Sequence, residues 1–197
     1  MKKSLIVLIL AVALVSPVFA TEKGNIEIVG KLGVAVNPTD AYVFDDYYYN
    51  SYKKNNALAI AIEGFYSLLP ELPVGLGINY QFNSERTKED DYETGATNIY
   101  LTVKPTAKID SKIFTGIYAI GQIGFSLNRG DGRYWAHGKV DSNGLYWGLG
   151  AGTEIMNDFI FEFIFSTNNW KYDFGGLYHG DIQSTALTFF AGYKFSI

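Results

Sequence analysis

The stretch Leu187-Thr188-Phe189-Phe190-Ala191-Gly192-Tyr193-Lys194-Phe195-Ser196 decides the fold. Leu187, Phe189, Ala191, Tyr193 and Phe195 share one parity; Thr188, Gly192, Lys194 and Ser196 share the other. Successive side chains of an extended chain point to opposite faces, so this pattern is a strand with one apolar and one small or polar face. The same period of two recurs upstream. Ile26, Ile28, Leu32, Val34 and Val36 alternate with Glu27, Lys31 and Gly33, and Leu58, Ile60, Ile62 and Tyr66 with Glu63 and Ser67. Val74, Leu76, Ile78, Tyr80 and Phe82 alternate with Gly75, Gly77, Asn79 and Gln81, and Ile99, Leu101 and Val103 with Tyr100, Thr102 and Lys104. A long segment places Ile113, Thr115, Ile117, Ala119, Gly121, Ile123, Phe125 and Leu127 on one parity. Leu145, Trp147, Leu149, Ala151 and Ile155 follow, then Phe159, Phe161, Phe163 and Phe165 with Glu162 opposite.

Eight strands result. Polar stretches 37–56, 84–94, 128–142 and 168–182 join them at one end. Tight turns at Pro70-Glu71-Leu72-Pro73, Lys108-Ile109-Asp110-Ser111-Lys112 and Met156-Asn157-Asp158 join them at the other. Long and short connections in strict alternation mark a transmembrane barrel with short periplasmic turns and long outer loops. The expected fold is all-β: an eight-stranded antiparallel up-and-down transmembrane β-barrel occupying residues 21–197.

Residues 1–20 read as a signal peptide. Lys2 and Lys3 precede an apolar run, Leu5 to Val15, too short to span a bilayer, and Val18-Phe19-Ala20 offers a cleavage site after Ala20. Removal of two lysines and no acid takes the formal charge from −4 to −6. An acidic chain without a basic stripe is a poor nucleic-acid ligand, so no nucleic-acid partner is expected. The absence of cysteine leaves stability to burial and hydrogen bonding, which a closed barrel supplies by pairing every strand edge.

Which face is wet separates two barrel classes. A soluble lipid-binding barrel keeps its apolar face inside. Here the polar parity carries few charges: Glu27, Lys31, Glu63, Lys104, Glu154, Glu162 and Lys194. The remainder is mostly Gly, Ala, Ser, Thr, Asn, Gln and Tyr, which suits a narrow interior better than a water-facing surface. The seven charges are therefore expected to pair across the lumen, filling it with salt bridges and glycine-cushioned side chains. Tyr66, Phe159, Tyr193 and Phe195 fit a girdle at the periplasmic interface, and Tyr80, Phe82, Phe125 and Trp147 one at the outer interface.

The chain resembles the eight-stranded outer-membrane β-barrel family: the OmpA transmembrane domain, the OmpX/Ail group and the opacity-type proteins. The ending Ala191-Gly192-Tyr193-Lys194-Phe195-Ser196-Ile197 looks like the C-terminal assembly signal of these proteins, although it finishes on Ile197 where they usually finish on Phe. The resemblance implies insertion from the periplasm, with periplasmic chaperones, the barrel-assembly machinery, outer-membrane lipid and lipopolysaccharide as partners. For some members it implies adhesion or immune evasion through the loops, hence a host or cell-surface protein as a further partner.

Little in the sequence carries chemistry. His137 and His179 fall in predicted outer loops, and His179, Asp181 and Ser184 are the nearest approach to the catalytic cluster of a lipid A-modifying barrel. Glu89-Asp90-Asp91-Tyr92-Glu93 lacks the spacing of a calcium loop. No catalytic residue, metal site or cofactor is expected. Tyr47, Tyr48, Tyr49 and Tyr52 form the most suggestive surface, because tyrosine-rich polar loops suit protein recognition. The expected function is non-enzymatic, structural or surface-interactive, in the cell outer membrane of a diderm bacterium. A narrow pore for small or apolar solutes and a lipid A-modifying enzyme are the alternatives.

Overall fold

The computed structural model describes residues 26–36, 41–45, 48–52, 56–69, 71–85, 92–109, 111–132, 140–156, 158–174 and 178–196. The signal-peptide segment, Tyr47, His137, Ile197 and the acidic residues 89–91 lie outside them.

The strands are β1 (Ile26–Val36), β2 (Ala41–Asp45), β3 (Tyr48–Tyr52), β4 (Ala57–Leu69), β5 (Leu72–Glu85), β6 (Tyr92–Val103), β7 (Thr106–Lys108), β8 (Phe114–Gly132), β9 (Val140–Ile155), β10 (Phe159–Phe174) and β11 (Tyr178–Ser196). Eight of them pair antiparallel in the order β1-β4-β5-β6-β8-β9-β10-β11. The ring closes through β1 and β11, from Glu27↔Ser196 to Val36↔Leu187. Closure leaves no barrel edge unpaired, which is what a bilayer requires.

Register fixes the width. Partners followed from Gly192 run through Lys31, Ala61, Asn79, Asn98, Ser126, Gly144 and Trp170 to Ile182, ten residues away on the starting strand. Eight strands with that stagger tilt by about 40° and give a backbone radius of about 8 Å. Such a tube is only wide enough to be filled by its own side chains.

The faces are inside-out relative to a soluble barrel. Phe125 is 70% exposed, whereas Glu63 on the inner face is 0% exposed. Leu32, Leu58, Ile62, Leu101, Ile123, Leu149, Phe161 and Phe163 also point outward and exposed. Aromatic pairs bracket this belt. Phe159 and Tyr193 ring centroids lie 5.2 Å apart, and Tyr193 and Phe195 4.7 Å apart, near the short-turn end. Tyr80 and Phe82 at 4.9 Å, and Trp147 and Phe165 at 5.9 Å, lie toward the other end.

The structure departs from the sequence reading in four places. First, the stretch 37–56 is not simply a loop: β2 and β3 form a hairpin whose β2 pairs β11 through Asp181↔Phe44 to Gln183↔Tyr42. Tyr48, Tyr49 and Tyr52 are thus strand residues extending the barrel wall. Second, residues read as loop continue the ladders. β8 and β9 pair out to Gly130↔Val140, and β10 and β11 out to Phe174↔Tyr178. Polar side chains do not end a strand whose backbone groups find a neighbour. Third, Leu72 and Pro73 belong to β5, while Thr106–Lys108 adds β7 beside β8. A register shift between Phe114 and Gly116 leaves both Ile113 and Phe114 exposed. Fourth, the lumen also holds large apolar groups. Val29, Phe65 and Ile160 form one buried cluster; Ile120, Ile164 and Phe190 join Tyr118 and small alanines in another.

Candidate functional site

Period-two alternation sends Lys31 of β1, Glu63 of β4 and Glu162 of β10 inward, and Lys104, just past the end of β6, joins them. Lys31 Nζ lies 2.7 Å from Glu63 Oε2 and 2.6 Å from Glu162 Oε2. Lys104 Nζ lies 2.8 Å from Glu63 Oε2 and 2.6 Å from Glu162 Oε1. Two ammoniums and two carboxylates therefore alternate in a closed ring of zero net charge across the tube. All four are buried. Burial of charge is costly unless every lone pair is met. Here neutral donors complete the set: Tyr100 Oη donates to Glu63 Oε1 at 2.9 Å, Gln122 Nε2 to the same oxygen at 3.2 Å, and Tyr118 Oη to Glu162 Oε1 at 2.9 Å. Tyr146 Oη in turn donates to Gln122 Oε1 at 2.6 Å. Lys104 Nζ also sits 4.4 Å from the Phe65 ring centroid and 5.3 Å from that of Tyr118, where the negative ring faces favour a cation.

Glycines make room for this arrangement. A Cβ at Gly77 would stand 2.5 Å from the Tyr100 ring, and one at Gly152 would stand 2.6 Å from the Tyr118 ring. The two tyrosines reach the carboxylates because the neighbouring wall is bare.

A second, smaller group lies toward the short-turn end. Lys194 Nζ is 3.0 Å from Glu154 Oε1 and 3.4 Å from Glu27 Oε1, all three partly exposed. The seven charged residues expected from sequence on the inner face thus fall into a buried quartet and a wetter trio. Tyr100, Tyr118, Gln122 and Tyr146 were not singled out by sequence. Their only signal was a large hydrogen-bonding side chain on the polar parity, since the partners are 24 to 59 residues away in the chain.

His179, Asp181 and Ser184 are all on β11. The side chains of His179 and Asp181 lie outside the description. Ser184 is buried and already engaged in an interaction. Among the described residues no group of three or more His, Cys, Asp or Glu side chains could hold a metal ion. The side chains of Tyr48, Tyr49 and Tyr52 lie outside the description.

A closed eight-stranded ring, apolar outside and ionic within, defines a membrane-spanning β-barrel. Its fold is that of the small outer-membrane barrels. The chain is similar to the attachment invasion locus protein Ail of Yersinia pestis, at 14% identity over 88% of this chain and 100% of that one, with a TM-score of 0.51. It is also similar to Neisserial surface protein A, at 12% identity over 86% of this chain and 97% of that one, with a TM-score of 0.53. No protein-family model matches the sequence, and no curated protein does.

Proposed function

We propose that the chain is a non-enzymatic integral outer-membrane protein of a diderm bacterium, exported by residues 1–20 and acting through its long-connection end. The observation that carries this reading is the division of labour within the barrel. The membrane-embedded part is closed by the Lys31–Glu63–Lys104–Glu162 ring, which leaves transport little room. Beyond it, β8 to β11 run 16 to 19 residues, against the 9–11 or so that a tilted strand needs to cross a bilayer. The surplus, with the β2–β3 hairpin, is wall raised clear of the hydrocarbon. Tyrosines in that hairpin offer contact area and a hydrogen bond together, so we assign Tyr47, Tyr48, Tyr49 and Tyr52 to a surface for a host or cell-surface protein. Lipopolysaccharide is the neighbour at the membrane. The similar Yersinia protein is named for attachment and invasion, which fits such a role.

Two measurements test this. The refolded protein should give no porin-sized conductance in a planar bilayer; stable single-channel steps of that size would make it a pore. Replacing Tyr47, Tyr48 and Tyr49 with Ser should abolish cell-surface binding by the purified barrel while its heat-modifiable mobility on gels persists. Binding that survives the triple replacement refutes the assigned surface.

A further inference from the structure

Each of the three short turns carries large apolar side chains in the open. Leu68 and Leu69 are exposed at the end of β4, Ile109, Ile113 and Phe114 around the β7–β8 turn, and Met156 at the β9–β10 turn. A wall that met lipid only from the side would need apolar groups on one parity. Leu68 and Leu69 are adjacent in one strand and so point to opposite sides. Ile113 and Phe114, also adjacent, are both exposed. The apolar surface thus turns the corner from the flank of the barrel onto its short-turn rim.

Hydrogen bonds at the rim hold these groups outward. Met156 N–H donates to the Ile113 carbonyl oxygen at 2.9 Å and ties two turns together. Ser111 Oγ accepts from the N–H of Ile113 at 3.3 Å and of Phe114 at 3.4 Å. Met156 has a φ of 53°, in the left-handed region that glycine enters freely and bulky side chains rarely do. That strain must be offset by a contact of the side chain, and at 60% exposure the contact lies outside the chain. Charge points the same way. Lys108 and Lys112, at either side of the β7–β8 turn, are both exposed. Among the described residues neither forms an ion pair, whereas Lys31, Lys104 and Lys194 all do. Asp110, between the two, lies outside the described residues.

A surface seated in a bilayer interface buries apolar groups about 5–10 Å into the boundary of headgroups and acyl chains, and meets anionic headgroups with lysine. The rim is continuous with the lipid belt through the exposed Phe159, three residues past Met156. That continuity favours lipid over a protein as the occupant. We propose that the β7–β8 turn binds an anionic phospholipid, with Lys108 and Lys112 at its phosphate and its acyl chains against Ile113, Phe114 and Met156. Short turns face the periplasm, so the lipid belongs to the inner leaflet. The site rests on the outer-membrane reading and not on the tyrosine surface.

The test uses the absence of native cysteine. Ala107→Cys, outward on β7 beside Lys108, carries a bimane fluorophore, and Phe125→Cys carries the same probe toward the other end. Each protein is refolded into phosphatidylcholine vesicles containing acyl-brominated phosphatidylglycerol or acyl-brominated phosphatidylcholine, whose bromines quench a neighbouring bimane. At position 107, half-quenching should need roughly fivefold less phosphatidylglycerol than phosphatidylcholine, the equivalent of one unopposed lysine beside an anionic headgroup. At position 125 the two lipids should quench alike. Lys108→Gln with Lys112→Gln should make them alike at position 107 as well. Equal quenching there in the parent, a preference of the same size at both positions, or one left intact in the double variant would overturn the proposal. Quenching by neither lipid at either position would deny the lipid belt itself, and with it the outer-membrane reading. Should the double variant fail to reach the heat-modifiable form, the comparison of the two probe positions decides alone.

Discussion

Lys104→Met is the most informative single change in this barrel. It removes an ammonium held 2.8 Å from Glu63 and 2.6 Å from Glu162 and leaves the hydrocarbon stem's volume filled. At an effective dielectric of about 20, each contact is worth roughly 6 kcal/mol of gross attraction, most of it offset by desolvation and by repulsion within the ring. The net cost of stranding a buried charge is about 3–5 kcal/mol. Methionine against Phe65 recovers a little of this through sulfur–aromatic contact. The variant ring holds one lysine and two glutamates, a net charge of −1. Glu162→Gln in the same chain restores neutrality, with Lys31 and Glu63 still paired at 2.7 Å. The double variant should therefore cost about 2 kcal/mol less than the sum of the two singles. Guanidinium unfolding in lipid vesicles, followed by tryptophan fluorescence, measures all four corners of the cycle. Additivity within about 0.5 kcal/mol, or a Lys104→Met cost below about 1 kcal/mol, would show that the ring is solvated and would refute the closed lumen.

Two further outcomes follow from the faces of the wall. Ile62→Arg, on the outward face between the aromatic girdles, should cost about 2–4 kcal/mol in vesicles, and Met156→Arg, at the short turn, only about 0–1 kcal/mol; equal costs would mean that no hydrocarbon belt surrounds the barrel. Gly152→Val should drive the Tyr118 ring from Glu162 and destabilise by about 2–4 kcal/mol, combining overpacking with a lost hydrogen bond. Gly64→Ala, where an added Cβ meets nothing within 4 Å, is the control and should unfold within about 1 kcal/mol of the parent.

The outward face was legible because lipid enforces a strict alternation: Leu187, Phe189, Tyr193 and Phe195 read correctly from parity alone. The inner face was legible only where it was polar. Phe190, Val29, Phe65, Ile160 and Ile164 point inward and are buried, yet periodicity cannot see an apolar residue on the opposite parity of an apolar strand. Inside so narrow a tube a phenyl ring against Gly33 fills space as well as a tyrosine does, so the interior imposes volume rather than polarity. The seven charged residues could be listed from sequence, but not which four of them form the quartet. Nor could its connectivity, because Lys31 meets Glu162 across 131 residues through a register that only closure defines. The β2–β3 hairpin escaped for the opposite reason: its aromatic and polar residues show no alternation, and β2 becomes a strand because β11 extends far enough to pair it.

Charge in the lumen also answers a question that stability alone does not. An apolar filling could match the quartet's volume, and replacing buried ion pairs with hydrocarbon is often neutral or stabilising. Such a barrel would, however, have two apolar faces on every strand. A slip of one residue exchanges the faces, and with both apolar the exchange would go unpunished. With the charges present, a one-residue slip of β4 would turn Glu63 toward lipid, and a slip of β1 would do the same to Lys31. For a lysine at the bilayer midplane that costs about 2–4 kcal/mol, in addition to the partner left unpaired inside. The four residues come from β1, β4, β10 and the end of β6; Lys31–Glu63 joins neighbouring strands, but the other three ion pairs tie strands that are not neighbours in the sheet to one register. Wall hydrogen bonds cannot do this, because a backbone ladder pairs equally well at many offsets. On this argument the quartet specifies which of several closable cylinders forms, and the wall's own bonding holds it once formed.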